Sequence, residues 1–289
     1  MKKTLFILIA ILVAVYLILS ALGSGGEYPA EKLLYHAMKA NQKIIANPDV
    51  VPPALFASVE KKLQAVFEKY PKTNAAKAAH MVLAEFYLVN KKYDKSLQAL
   101  DTIIGLYKKE PAILSKAYFL KGNIYERQNQ WNKALKEYET VRDKYRETTL
   151  GFQIPIYIGN YYSSKGRDAE AAKVYNEAVT FYGEIEKQNR GKGLGYLASG
   201  FLADSYMRLK KYEEAGKVVE DTIENYPSKM TYLQYLPRVE LIYVKKLQRP
   251  DKAIEIYTKV KEKTTDKKLK EFLDKKIEAL KGKGNMDSR

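Results

Sequence analysis

Apolar and small residues recur along the chain in one pattern that repeats five times. Each copy has a segment with apolar residues three and four positions apart, a polar stretch, and a second segment of the same period. Apolar positions at this spacing share one face of a helix, so each copy predicts two helices joined by a polar turn. A tyrosine stands late in every first helix, at intervals of 38, 37, 44 and 37 residues. The five tyrosines are Tyr87, Tyr125, Tyr162, Tyr206 and Tyr243.

Small side chains stand at two fixed places in this pattern, where they let antiparallel helices approach closely. The first place, three positions before each tyrosine, holds Ala84, Gly122, Gly159, Ala203 and, as the exception, Glu240. The second place opens the second helix and holds Ser96, Ala134, Ala171, Ala215 and Ala253. A single hairpin cannot bury its apolar face alone, so the pattern predicts hairpins stacked on one another.

A further column of tyrosines closes the second helices: Tyr70, Tyr107, Tyr145, Tyr182 and Tyr226. Because the column begins before the first complete copy, an earlier hairpin precedes it, with its first helix around residues 30–46. Prolines fall between copies, where they end one helix without interrupting the next. These are Pro71, Pro111 and Pro227. We therefore expect about six hairpins.

The pattern resembles the tetratricopeptide repeat, in which a small residue is followed by a tyrosine, an alanine, an aromatic residue and a closing proline. The resemblance extends from about residue 58 to 260, with a spacing of 37–38 residues in most copies. It implies an all-α fold: a right-handed α-solenoid of about six tetratricopeptide-like hairpins over residues 30–264. The sequence DKKLKEFLDKKIEAL indicates a capping helix within 265–281, before a disordered tail at 282–289.

The N-terminus carries a different signal. Lys2 and Lys3 precede an uncharged run from Leu5 to Leu22, and a helix of this length is about 27 Å long, which suffices to cross a bilayer core. We therefore predict a transmembrane signal-anchor at residues 1–22, a flexible linker at 23–29, and a repeat domain on the outer, periplasmic side of the inner membrane. The alternative is a cleaved signal peptide, because Ala21 and Gly23 provide small residues at a suitable spacing. Either form exports the domain.

Composition limits the chemistry. The chain has no cysteine, which excludes disulfides and thiolate catalysis, and its two histidines, His36 and His80, show no metal-ligand spacing. The glycine-rich stretch at 191–195 lacks the preceding strand of a phosphate-binding loop, so we interpret it as a flexible loop within the longest repeat interval. We expect no enzymatic activity, no cofactor and no metal.

The net charge of +16 comes from lysines spread along the whole chain, which is typical of solvated helix faces. The charge leaves open a second function, in which an exported basic protein holds an anionic polymer or a lipid surface. Nucleic acid is not an expected partner.

In the family that the repeats resemble, first helices line a concave groove. Asn123 and Asn160 hold the same place in adjacent first helices, and Arg127 lies one turn beyond Asn123. Their amides could hydrogen-bond the backbone of an extended peptide and Arg127 could meet a carboxylate, which makes the three residues the candidate peptide-binding groove. The alternative is a solvated polar stripe. An anchored tetratricopeptide domain is similar to bacterial envelope-assembly and translocon-accessory proteins, which implies a non-enzymatic scaffold that docks an unidentified client protein or complex subunit.

Overall fold

The computed structural model describes residues 26–46 and 52–284, and both ranges contain helices and turns but no strand. The predicted all-helical fold of tetratricopeptide-like hairpins is therefore confirmed. The chain divides into two compact units, an N-terminal unit, Met1–Phe152, and a C-terminal unit, Gln153–Arg289. The right-handed winding of the whole array stays a prediction.

The N-terminal unit contains six described helices in three hairpins, and each helix packs on the next. They are α1 (Glu27–Ala46), α2 (Pro53–Lys69), α3 (Asn74–Val89), α4 (Tyr93–Leu106), α5 (Pro111–Arg127) and α6 (Trp131–Lys144). The helix α1 supplies the first helix of the early hairpin that the tyrosine column predicted.

The C-terminal unit continues the alternation with three more hairpins and a last helix. Its helices are α7 (Thr149–Ser164, which begins in the N-terminal unit), α8 (Asp168–Gln188), α9 (Gly193–Arg208), α10 (Tyr212–Asn225), α11 (Lys229–Val239, extended by a π-helix, Glu240–Lys246), α12 (Pro250–Lys263) and α13 (Lys267–Gly284). The described ranges thus hold six hairpins, as predicted, and α13 packs on α12. The residue boundaries of the predicted linker, repeat domain and tail stay predictions.

The repeated tyrosine of each first helix also closes the turn of its hairpin. The backbone N–H of Lys92 donates to the carbonyl of Tyr87 at 2.8 Å, while the intervening Lys91 has a left-handed backbone with φ 58°. This is the Schellman ending of a helix, which satisfies carbonyls that the helix itself leaves unpaired. The same bond, from the residue five positions on, recurs at Tyr125, Tyr162 and Tyr206, with left-handed residues at Asn129, Gly166 and Lys210. At Tyr243 the donor is Arg249, six positions on, and the left-handed residue is Gln248.

The small residues of the pattern make room for specific large ones. A Cβ atom on Gly122 would lie 2.4 Å from the ring of Tyr138, and one on Gly159 would lie 2.3 Å from the ring of Tyr175. Both rings lie against the opposite helix of their own hairpin, and Tyr138 is fully buried. In the second hairpin the small place holds Ala84 instead, and Leu100 stands where the tyrosine would be. The glycines are therefore matched to the tyrosine that each faces.

The long third interval, from Tyr162 to Tyr206, arises from a longer helix. The helix α8 has 21 residues, whereas α4, α6, α10 and α12 have 14 each, and this excess of seven residues accounts for the interval of 44 against 37. The loop predicted at 191–195 is correct only for residues 191 and 192, which lie in the turn between α8 and α9. From Gly193 onward it is wrong, because α9 begins there and Gly195 is buried against the carbonyl of Asn189. Tyr182 consequently lies inside α8, whereas the other closing tyrosines end their helices.

The exceptional Glu240 marks a change of helix type. It begins the π-helix, whose wider turn adds one residue to the first helix of the sixth hairpin. In this hairpin Val239, one residue earlier, is fully buried. Glu240 itself is half-buried and pairs with Lys276 of α13 at 2.6 Å. A carboxylate in a small-residue place therefore reflects a shifted register.

The predicted membrane anchor at residues 1–22 lies outside the described residues, so it stays a prediction. Within the described ranges, no helix combines the length and the apolar character needed to cross a bilayer.

Candidate functional site

Two of the three predicted groove residues lie one turn apart on α5. Asn123 is half-buried and Arg127, which ends the helix, is exposed. Within the described ranges, neither side chain makes a hydrogen bond or an ion pair. Both side chains can therefore meet a ligand without breaking an internal contact.

The third predicted residue, Asn160 on α7, is already engaged. The hydroxyl of Tyr175, which is 3% exposed, donates to its Oδ1 at 2.8 Å. Burial raises the pKa of that hydroxyl, which stays a donor. Removing the amide would leave a buried hydroxyl without its acceptor, at a cost of about 1–3 kcal/mol. Asn160 therefore has a structural role that the sequence did not show, and the joint peptide-binding role of the three residues stays a prediction.

The place held by these asparagines is acidic in two other first helices. Glu85 on α3 pairs with Lys116 of α5 at 2.7 Å, and Asp204 on α9 pairs with Arg238 of α11 at 3.2 Å. Both pairs link one first helix to the next within a single unit. Asn123 carries no charge, so it cannot form such an ion pair itself.

A groove of the C-terminal unit lies between two first helices, α9 and α11, and has an open volume of about 440 Å³. We call it the α9–α11 groove. Polar contacts join its walls: the hydroxyl of Tyr196 donates to Oε1 of Gln234 at 2.6 Å, and Arg238 reaches both Asp204 and the carbonyl of Gly200. Its lining consists of Tyr196, Leu197, Gly200, Phe201, Asp204, Gln234, Tyr235 and Arg238.

Tyr235 is fully buried in the lining. Burial raises the pKa of its hydroxyl to about 12, and this hydroxyl has no hydrogen bond of ordinary geometry in the described part of the chain. Ser199 approaches it and has a small opposing effect on the pKa, but donates its own proton to the carbonyls of Gly195 and Tyr196. The ring of Tyr235 therefore contributes apolar surface to the groove, and the polar groups of the groove are those of Gln234, Asp204 and Arg238.

Exposed apolar side chains of the C-terminal unit gather on the same layer of helices. Among its described residues, the large exposed hydrophobic side chains all belong to first helices or to α13, and none to α8, α10 or α12. Leu197 is 45% exposed and Leu233 is 56% exposed, one on each helix that forms the groove. The others are Leu194, Met230, Leu241 and Phe272. Apolar side chains concentrated on one face are typical of a binding surface.

A larger depression of about 760 Å³ lies in the N-terminal unit between the second helices α2 and α4, with α3 behind it. Its polar groups are mostly committed to one another. Glu60 accepts hydrogen bonds from the hydroxyl of Tyr87 at 2.5 Å and from Nζ of Lys95 at 2.8 Å, which ties two hairpins together. His80 stacks on Phe67 with ring centroids 3.8 Å apart, and burial lowers its pKa. These contacts indicate a structural junction between hairpins.

Among the described residues, no group of three or more His, Cys, Asp or Glu side chains is placed to hold a metal ion. The perturbed tyrosine pKa values are raised mainly by burial, which keeps the hydroxyls protonated. The arrangement can bind a polypeptide through apolar contact and hydrogen bonds.

Comparison with known proteins supports the repeat type. Residues 116–148, which lie within the third hairpin, match the family model of the tetratricopeptide repeat. No curated protein sequence matches the chain. The family-model match covers one hairpin and supports the tetratricopeptide type of the repeats.

Solved structures with similar folds include yeast Tom70, at 13% identity and a TM-score of 0.46, over 89% of this chain and 47% of that one. The chain thus spans less than half the length of Tom70. The TPR2AB domain of yeast Sti1, solved as a pHSP90 complex, has 14% identity and a TM-score of 0.33, over 88% and 99% of the two chains. A tetratricopeptide repeat protein from Parabacteroides merdae has 12% identity and a TM-score of 0.30, over 86% and 99%. At these scores the likenesses say nothing about the partner of this chain.

The α9–α11 groove was missed from the sequence, although its place in the repeat was identified. Asp204 holds the same position as Asn123 and Asn160, and it lines the groove. The signal that could have found the groove is the presence of leucines at 197 and 233, outside the small and tyrosine columns. Pattern alone does not distinguish such leucines from core residues.

Proposed function

We propose that this protein is a non-enzymatic scaffold of the cell envelope that docks an extended segment of a partner protein in the α9–α11 groove. The observation that carries the proposal is the exposure of Leu197 and Leu233 on the two helices that form the groove. An extended peptide would cover both leucines, and Gln234 could hydrogen-bond its backbone amides. Asn123 and Arg127 would extend the same mode of binding to the N-terminal unit.

The uncharged run at residues 5–22 supports membrane attachment, with the repeat domain on the extracytoplasmic side. In this arrangement the anchor limits the scaffold to partners that reach the membrane surface. A partner that is itself a membrane protein or an exported client would meet the groove there.

The test combines site-specific crosslinking with affinity measurement. A photo-crosslinking residue at position 197 should capture a partner in the native membrane, and the same residue at Leu106, a somewhat more exposed apolar position on α4, should not. With the captured partner in hand, Leu197→Ala/Leu233→Ala should weaken its binding roughly 30-fold. About half of each leucine side chain is exposed in the free protein, so each substitution removes about 1 kcal/mol of the apolar burial that binding would provide.

The melting curve of the double variant should match that of the wild type, because both side chains are largely exposed. Equal affinity for the wild type and the double variant would move the docking site away from this groove.

The alternative function, retention of an anionic polymer through charge, makes a different prediction about salt. Many lysines are already paired with carboxylates, including Lys77 with Glu110 and Lys121 with Asp101. Groove binding should change little between about 0.1 M and 1 M salt, whereas charge-driven retention should fall steeply.

A further inference from the structure

The outer face of α1 combines two aromatic side chains with three lysines. Tyr28 is 72% exposed and Tyr35 is 61% exposed. They lie seven residues apart, which puts them on one side of the helix. Lys32, which lies between the two tyrosines, and Lys39 and Lys43, which follow them, are exposed on the same side. Within the described ranges none of these lysines forms an ion pair.

This face is fixed in orientation by the contacts of the opposite side of α1. Ala30 is fully buried in a cluster with Val66, Ala75 and Ala79. Glu27 accepts the backbone N–H groups of Asn74 and Ala75 at 3.0 and 2.9 Å, at the start of α3. The first residues of α1 are therefore held against the rest of the N-terminal unit, and the tyrosine–lysine side points away from it.

The chain enters α1 at a defined point close to the apolar run. Gly26 has φ 82° and passes so near Tyr70 that a Cβ atom would lie 2.7 Å from the ring. Gly26 lies four positions beyond Leu22, the last residue of the run, and four residue steps span at most about 14 Å. If residues 5–22 cross a bilayer, the beginning of α1 lies in the headgroup layer or just above it, since that layer extends about 5–8 Å beyond the hydrocarbon.

We propose that α1 lies along the bilayer surface, with its tyrosine–lysine face in contact with anionic phospholipid headgroups. Tyrosine rings prefer this zone because one end is apolar and the other polar, and lysines reach the phosphates while their stems cover apolar surface. The outward charges are Lys32, Lys39 and Lys43 against Glu31, a net positive face. This inference rests on the membrane attachment in the proposed function and adds an orientation for the repeat domain.

The test uses the full chain in vesicles with about one-third anionic phospholipid, near the composition of strongly anionic membranes. Because the chain has no cysteine, single cysteines can carry a fluorophore at Tyr35 or Gln42 on the proposed face, or at Lys62 on the exposed side of α2. Lipids with a nitroxide on the headgroup should quench the probes at 35 and 42 but leave the probe at 62 near its value in detergent. Position 42 lies about 22 Å along the helix from its start, so its quenching requires α1 to lie flat.

Charge reversal tests the headgroup contact itself. Each lysine near an anionic surface contributes roughly fivefold to the docking equilibrium, so Lys32→Glu/Lys39→Glu/Lys43→Glu should lower it by roughly 100-fold or more and release the probe at 42. The matched control, Lys108→Glu/Lys109→Glu/Lys144→Glu, makes the same change of charge on exposed lysines of other segments and should leave the quenching unchanged. Circular dichroism of both variants should show intact helices.

Flotation of the vesicles separates the two possible failures. A chain that does not float with the vesicles would overturn the membrane attachment and this inference together. A chain that floats while its probes at 35 and 42 behave like the probe at 62 would overturn this inference alone. Equal loss of quenching in both charge variants would also overturn it, because the effect would then belong to net charge and not to α1.

Discussion

Replacement of Gly122 by alanine tests whether the glycines are matched to the tyrosines they face. The added Cβ would lie 2.4, 2.7 and 2.8 Å from three ring atoms of Tyr138, whereas carbon atoms in contact are about 3.5–4.0 Å apart. The ring is fully buried, and its hydroxyl donates to Oε2 of Glu126 at 2.8 Å. It cannot move aside without straining its packing and that hydrogen bond.

Two opposing terms set the magnitude. Overpacking of this kind costs about 1–3 kcal/mol, while alanine in a helix is favoured over glycine by about 1 kcal/mol. We therefore expect Gly122→Ala to destabilise the N-terminal unit by about 1 kcal/mol. Gly105→Ala in α4 is the matched control, because its Cβ meets nothing within 4 Å, and it should be neutral or stabilising. Gly122→Leu should cost more than the alanine variant.

A double-mutant cycle isolates the contact. Tyr138→Leu alone should cost about 2–4 kcal/mol, because it removes a buried ring. Combined with Gly122→Ala, it gives the third hairpin the alanine and the leucine that the second hairpin has at the corresponding positions, Ala84 and Leu100. The double variant should therefore be about 1–2 kcal/mol more stable than the sum of the single effects predicts.

The assay is urea unfolding followed by circular dichroism, with separate transitions fitted if the two compact units unfold independently. The reasoning fails if Gly122→Ala is as benign as Gly105→Ala, or if the cycle is additive within about 0.5 kcal/mol.

The remaining predictions concern the hairpin turns and one junction between hairpins. Gly166→Ala should lower the free energy of unfolding by about 1 kcal/mol, because the left-handed backbone at φ 69° disfavours a side chain. Nothing lies within 4 Å of the new Cβ, so the effect belongs to the backbone and not to a clash. Asn129→Gly, at the same place in the third hairpin, should be neutral or slightly stabilising. Thermal melting measures both variants, and a melting temperature lower for Asn129→Gly than for Gly166→Ala would contradict the prediction. Hydrogen bonds from Lys95 and then Tyr87 lower the pKa of Glu60 in the folded protein, so its stabilisation is complete above the unfolded-state pKa and is lost as the pH falls through the folded pKa. Glu60→Gln should accordingly flatten the acid-side decline of the urea midpoint below about pH 5, and an unchanged decline would mean that other carboxylates cause it.

Hairpin order and number could be predicted because the same residues recur at the same helical spacing. A column such as Ala84, Gly122, Gly159 and Ala203 is visible without coordinates, since only small residues permit the close helix contact. The extension of α8 could not be predicted in the same way. Its last residues, EIEKQ, are polar apart from Ile185, and a mostly polar segment near a glycine-rich stretch is equally compatible with a loop. The contacts of Ile185 and Tyr182, which are both buried, decide for a helix.

The repeat position of the candidate site was predictable, whereas the groove itself was not. Periodicity placed Asn123 and Asn160 on first helices, and it places Asp204 at the same position of another first helix. Only the structure shows that Asp204 lines a groove. The polar side chains at this position have three different roles. Asp204 bridges α9 to α11 through Arg238, Asn160 accepts from Tyr175 within its own hairpin, and Asn123 makes no side-chain contact of either kind in the described ranges.

These roles depend on partners that are distant in sequence, which explains why a single repeat pattern cannot assign them. Arg238 is 34 residues beyond Asp204, and it reaches that carboxylate because α9 and α11 pack side by side. Leu197 and Leu233 are exposed on these two helices, which the ion pair between Asp204 and Arg238 already ties together. A peptide in the α9–α11 groove would therefore meet walls that are joined before it arrives, and less ordering of the protein would oppose its binding. A ligand at Asn123, whose side chain makes no hydrogen bond or ion pair in the described ranges, would have to order that side chain on binding. The α9–α11 groove is for this reason the stronger candidate for the primary docking site.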